Sequence, residues 1–128
     1  MSVPIYQVIN QSTDAEPLIE RAYAAFNARD IETALSVMHP AVEWPNGMEG
    51  GTVYGHSGIR DYWTRQWSLI DPSVTPTRFT TLEDGRTLVD VHQVVRDLDG
   101  NVLKDARVQH VYSFQDGFVK AMEIRETP

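Results

Sequence analysis

Two Asp-Gly pairs, Asp99-Gly100 and Asp116-Gly117, punctuate the last third of the chain, each between runs in which apolar and polar residues alternate. Both residue types tolerate the positive φ of a tight hairpin turn, so this pattern is a strong hairpin signal. Residues 86–97, 102–115 and 118–127 therefore read as three long strands joined by two hairpins. The first turn sets the register. It places Val89 opposite His110, Val91 opposite Val108 and His92 opposite Arg107, and directly opposed residues share a face. One face then carries Val89, Val91, Gln93, Val95, Ala106, Val108, His110, Tyr112 and Phe114. The other carries Asp90, His92, Arg96, Asp105, Arg107 and Gln109, with Leu88, Val94 and Val111 among them. The first face is the buried one, as alternation in a sheet with one solvated side requires.

The second turn is read as an odd, bulged loop with Gly117 left-handed, because that choice buries Phe118, Met122 and Ile124 and leaves Glu123 and Arg125 outside. It predicts Met122 opposite His110. His110 becomes a lone imidazole on an apolar inner wall, whereas His92 points away from it.

Length and charge bound the partners. A chain of 128 residues makes one domain with a core of its own. Its net charge of −7 and the lack of any basic run argue against nucleic acid or an anionic membrane. With no cysteine there is no disulfide or thiolate chemistry, and no segment has the ~20 apolar residues of a membrane span. Residues 1–12 lack the basic start and apolar block of a signal peptide, so a cytoplasmic protein is expected.

The first two thirds read as helices. Residues 1–12 are expected to be an irregular arm, and 13–128 one domain. Thr13 with Glu16 fits a capping box, Pro17 a first helical turn, and Leu18, Ile19, Ala22, Tyr23, Ala25 and Phe26 an apolar stripe reaching about Ala28. Asp30 caps a short helix with Ile31, Ala34, Leu35 and Met38 on its apolar side, stopped by His39-Pro40. Val42–Trp44 is a short extended piece, and residues 46–58, with five of the eight glycines, are a loop. Ser57 is expected to cap a third helix whose stripe is Ile59, Tyr62, Trp63, Gln66, Trp67 and Ile70. Residues 74–82 form a further strand, with Phe79 facing inward. The class is α+β: three N-terminal helices packed in the concave face of a curved antiparallel sheet, a conical roll with one open end. Ligand sites favour such openings.

Four stretches in this order and spacing resemble the SnoaL-like group of the nuclear transport factor 2-like superfamily: Tyr23–Asp30, His39–Trp44, Tyr54–Trp63 and His110–Gly117. The resemblance spans roughly residues 14–126. It implies a conical α+β barrel with a cystatin-like roll, a homodimer through the outer sheet face, and an apolar pocket that relatives use as isomerases, cyclases, dehydratases, epoxide hydrolases or plain binding modules. Fold does not choose among these. Ketosteroid isomerase-like relatives place a carboxylate base after the first short strand, where this chain has Trp44. They place an acid on the penultimate strand, where it has His110, and a phenol donor on the first helix, near Tyr23. Epoxide hydrolase-like relatives need pocket carboxylates, yet Asp90 and Asp105 point outward in the expected register.

The expected site follows. His110 is the acid/base, because an imidazole titrates near neutrality, and Tyr23 the hydrogen-bond donor. Phe26, Trp44, Tyr54, Trp63, Trp67, Val91, Val108, Tyr112 and Met122 line a pocket for a flat, mostly apolar small molecule. Tyr54, after the glycine-rich loop, belongs at the mouth. His39 and His56 sit in structural contexts. Asp90 and His92 have metal-like spacing but no third ligand, so neither metal nor cofactor is expected. Two functions stay open: cofactor-free proton-transfer chemistry (isomerisation, cyclisation or dehydration), or binding and dimerisation without chemistry. An epoxide hydrolase is a third, only if Asp90 or Asp105 faces inward.

Overall fold

The structure, a computed structural model, describes residues 3–126. The elements run α1 (Val3–Asn27), α2 (Ile31–Ser36), β1 (Met38–Pro45), β2 (Thr52–Tyr54), α3 (Gly55–Leu69), β3 (Asp71–Thr81), β4 (Thr87–Arg96), β5 (Val102–Gln115) and β6 (Phe118–Glu126). The six strands form one curved, unclosed sheet in the order β2-β1-β6-β5-β4-β3. The sheet is mixed rather than antiparallel throughout, because β1 runs parallel to β6. Helix α1 packs against β3 and α2, and α3 against β1, which closes the concave face.

Helix α1 starts at Val3, well before the expected Thr13, so residues 3–12 are helical rather than an irregular arm; residues 1 and 2 lie outside the described residues. That stretch has no glycine, and its one proline, Pro4, stands in the first turn, where proline is tolerated. Pro17 accordingly falls inside the helix and not at its start. The predicted stripe is the buried one, with Ile19, Ala22, Tyr23 and Ala25 in the core and Leu18 and Phe26 packed against it. Arg29 ends the helix with φ 64°, and Asp30 N–H reaches back to Ala25 O at 2.8 Å, the six-to-one bond of a Schellman turn. Asp30 then caps α2 by accepting from Thr33 N–H at 3.2 Å. Asn27 fastens the end of α1 to β3. Its Nδ2 donates to Val74 O at 2.7 Å, and its Oδ1 accepts from Val74 N–H at 3.0 Å.

Two boundaries differ from expectation. Strand β1 begins at Met38, so His39-Pro40 continues an extended chain in place of merely stopping a helix. Helix α3 begins at Gly55, with Tyr54 at the cap position and no side-chain cap bond, so Ser57 lies within its first turn. Gly55 has φ +72°, and a Cβ there would meet Pro40 O at 3.3 Å, which is why a glycine carries the chain from β2 into the helix.

The first long hairpin has the predicted register, with Val89 opposite His110, Val91 opposite Val108 and His92 opposite Arg107. Phe79 is opposite Val89 and packs on the core, so it faces inward. The second hairpin differs. Asp116 and Gly117 have φ 55° and 82°, the two-residue turn with both φ positive, and Gln115 pairs with Phe118. Phe118 is therefore exposed and Val119 buried. An irregularity between Ser113 and Phe114 then switches the parity, so Met122 is opposite Tyr112 and Ile124 is opposite His110. The bulge sits in the strand pairing and not in the turn; Met122 still reaches the inner face, one rung deeper than predicted.

Candidate functional site

The concave face and the helices enclose an open-ended cavity of about 270 Å³. Its aromatic wall comes from four elements. Phe26 of α1 meets Trp63 of α3 edge-on with ring centres 5.0 Å apart; Trp63 meets Trp44 of β1 at 5.7 Å, and Trp44 leans on Tyr112 of β5 at 6.2 Å. Such tilted contacts suit ring quadrupoles and fix each ring without a polar bond.

One imidazole and two phenols stand in this wall. Tyr23 Oη and His110 Nδ1 lie 2.7 Å apart. His110 is 6% exposed, and burial lowers its pKa from 6.5 to about 4, so the ring is neutral near neutral pH. Burial first, and the neighbouring Tyr112 phenol second, push Tyr23 well above the usual tyrosine value, so it keeps its proton. Burial likewise raises Tyr112. Tyr23 Oη has two hydrogen-bond neighbours, His110 Nδ1 at 2.7 Å and the Tyr112 phenol, and the imidazole nitrogen is the stronger acceptor for its proton. The single proton of the neutral ring then sits on Nε2. No hydrogen bond from Nε2 to another described residue is found, and His110 lines the cavity, so the site offers one N–H donor to whatever occupies it.

Of the predicted site residues, His110, Tyr23, Phe26, Trp44, Trp63, Val108, Tyr112 and Met122 line the cavity. Three do not. Tyr54 is 66% exposed on the edge strand β2, across from Glu43, because the chain turns into α3 immediately after it. Trp67 lies behind the wall, against Phe26 and Trp63 and beneath the Arg29 guanidinium at 5.2 Å. Val91 is core, packed between Pro76 and Val108 in the sheet. Asp90 accepts from Gln109 Nε2 at 3.0 Å and Asp105 pairs with His92 at 2.7 Å, both on the outer face, which closes the epoxide hydrolase reading. His39 Nδ1 accepts from Ala41 N–H at 3.0 Å, and His56 Nε2 bonds Met38 O at 3.0 Å, so both are structural.

Several lining residues lie outside the expected site, although the sequence pattern placed Gln93 and Ile124 on the inner face and Tyr62 and Gln66 on the stripe of the third helix. Lys104, Gln93, Glu126 and Ile124 lie on the inner face of β4, β5 and β6, and Tyr62 and Gln66 on α3. The signal for Lys104 and Glu126 was present, since each continues the inward parity by one rung. Tyr62 Oη accepts from Gly47 N–H at 3.1 Å and so holds the loop after β1 over the cavity rim. Gln66 Oε1 and Trp67 Nε1 are buried without hydrogen-bond partners among the described residues.

A curved sheet wrapped on three helices around an open apolar cone, with its polar groups deep on the penultimate long strand, defines a protein of the nuclear transport factor 2-like fold. Residues 19–122 match the SnoaL-like domain family, and the chain belongs to that family. TerC, in a crystal structure with polyporic acid, is similar to it at 32% identity, with 89% of this chain and 92% of TerC covered and a TM-score of 0.77. A nuclear transport factor 2-like protein of unknown function from Burkholderia pseudomallei shares the fold at 24% identity, with 89% and 91% covered and a TM-score of 0.77. So does a ketosteroid isomerase-like fold protein from Catenulispora acidiphila, crystallised with trimethylamine, at 11% identity, with 86% and 85% covered and a TM-score of 0.73. No curated protein sequence is significantly similar to the chain.

Proposed function

We propose that this protein binds a flat, mostly apolar small molecule in its cone and acts on it by cofactor-free proton transfer, in an isomerisation, cyclisation or dehydration. The observation that carries the reading is the orientation of His110, whose Nδ1 is engaged by Tyr23 while the ring borders the cavity. A neutral imidazole held this way donates Nε2–H to a ligand carbonyl or ionised hydroxyl. As charge develops on that oxygen, the donor stabilises it, while Tyr23, which keeps its own proton, holds the ring in place at Nδ1. Trp44, Trp63 and Phe26 supply stacking surface and exclude water. The similarity to TerC makes polyporic acid a reasoned first probe.

The test uses the tryptophans of the cavity wall. Titration with polyporic acid is expected to quench their emission saturably, with affinity at least tenfold weaker in His110→Phe, and mass spectrometry of the incubated ligand reads any reaction. Absence of saturable quenching refutes the binding reading. Binding with no chemical change over hours favours the alternative, a module that binds without chemistry. One observation speaks for that alternative: Trp44 occupies the wall position where the resemblance implies a base, so a neutral imidazole and two phenols held protonated by burial are the titratable groups deep in the site.

A further inference from the structure

The inner face of β4 and β5 is a row of valines interrupted by three polar side chains in line: His110 deep in the cone, Gln93 opposite Ala106, and Lys104 opposite Val95 near the open end. All three line the cavity. His110 and Lys104 are six residues apart on one strand and so share a face. Among the described residues, Gln93 has no hydrogen-bond partner and Lys104 no ion-pair partner. Several cations elsewhere in this acidic chain are engaged, among them Lys120 with Glu43, Arg65 with Glu49 and Arg29 with Asp71. An uncompensated ammonium at the mouth of an apolar cavity is a docking point for an anion.

We infer that the cavity selects an elongated aromatic anion, with a neutral oxygen held at His110 and a carboxylate or other ionised oxygen held at Lys104 at the mouth. The inference rests on the ligand-binding reading above and adds the charge and length of the ligand. Six residues of strand span roughly 20 Å, of which the lysine stem can recover about 6 Å, so the two polar ends of the ligand lie roughly 10–15 Å apart. That is the length of two linked rings. The other charged group at the cavity is Glu126, opposite Val108 and four residues from Lys104 along β5, roughly 13 Å between backbones. It forms no ion pair with Lys104, which leaves the ammonium for the ligand. Gln93, between the two ends, presents an amide that serves either a donor or an acceptor along the ligand edge.

A hydroxybiphenyl carboxylate, with its two groups at opposite ends, and its methyl ester form the test pair, since they differ in charge at one end. Tryptophan quenching in low salt is expected to show the acid binding about tenfold tighter than the ester. Lys104→Gln is expected to abolish that preference while leaving ester binding and the unfolding midpoint unchanged, and Lys104→Arg to keep it. Equal binding of acid and ester by the native protein, or a preference that survives in Lys104→Gln, overturns the inference and leaves the ligand-binding reading standing. Failure of both ligands to bind overturns the inference together with that reading for ligands of this shape.

Discussion

The buried state of His110 makes a prediction that needs no ligand. Above pH 6.5 the ring is neutral in both the folded and the unfolded chain and adds nothing to the pH dependence of stability. Below it the unfolded chain takes up a proton that the folded chain refuses until about pH 4, because burial penalises the charged ring. Stability is therefore full above the unfolded pKa and falls as pH drops through this window. A gap of one pH unit between the unfolded and folded pKa values is worth about 1.4 kcal/mol, so the loss approaches about 3 kcal/mol below pH 4 and is about 2 kcal/mol at pH 5. The assay is urea unfolding of the native protein and of His110→Gln at pH 7 and pH 5. His39 and His92, which face Asp116 and Asp105, are common to both proteins and cancel in the comparison. The native protein is expected to lose about 2 kcal/mol more than the variant between the two pH values. Parallel losses, equal to within about half a kcal/mol, would mean that the ring takes up its proton in the folded state, and the assignment of a neutral Nε2–H donor would fall with it.

Other consequences are simpler to read. Tyr23→Phe leaves His110 Nδ1 buried without a donor and should cost about 1–3 kcal/mol in urea unfolding. Asn27→Ala removes both clasps on Val74 and should cost a similar ~1–3 kcal/mol, with earlier hydrogen exchange at the start of β3 as its local signature. Trp63→Ala should cost about 3–5 kcal/mol, since the ring is 2% exposed and holds Phe26 and Trp44 in place. Pairing of two copies through the outer sheet face, which the family resemblance implies, predicts twice the chain mass by light scattering and a return to monomer in Val94→Arg.

The hairpin register was legible because Asp-Gly turns leave few ways to pair two alternating strands, and a slip of one residue would have put Asp90 and Arg107 into the core. The same logic placed His110, Tyr112 and Val108 on the inner wall. It failed at the second hairpin, where apolar content was used to choose the loop. Phe118 looked too large to leave in solvent, yet an exposed phenylalanine costs less than distorting a two-residue turn that Asp116 and Gly117 already satisfy, and the parity switch moved into the strand at Ser113 and Phe114. The start of α1 was missed because residues 3–12 show no clean apolar period. Tyr54 and Trp67 were misplaced for a different reason. An aromatic residue near a glycine-rich loop or on a helix stripe has the right chemistry for a pocket wall, but which side of the wall it occupies depends on where α3 sits on the sheet, and that is a long-range property.

What distinguishes this cone is how little proton chemistry it holds. The interior carries one imidazole, buried enough to stay neutral, bound to a phenol that cannot ionise. Trp44 lines the wall at the position where the resemblance to ketosteroid isomerase-like relatives implies a carboxylate base. Such a site is a poor place to remove a proton from carbon, since a base with a pKa of about 4 has little affinity for it. It is a good place to hold an oxygen that already bears charge, or acquires it when a bond elsewhere in the ligand breaks, because a fixed N–H donor in a dry cavity needs no reorganisation to meet that charge. The proposed chemistry is therefore best sought where the ligand brings its own acidity, as an ionised hydroxyl or an activated carbonyl, and the protein offers orientation, an apolar enclosure and a single fixed N–H donor.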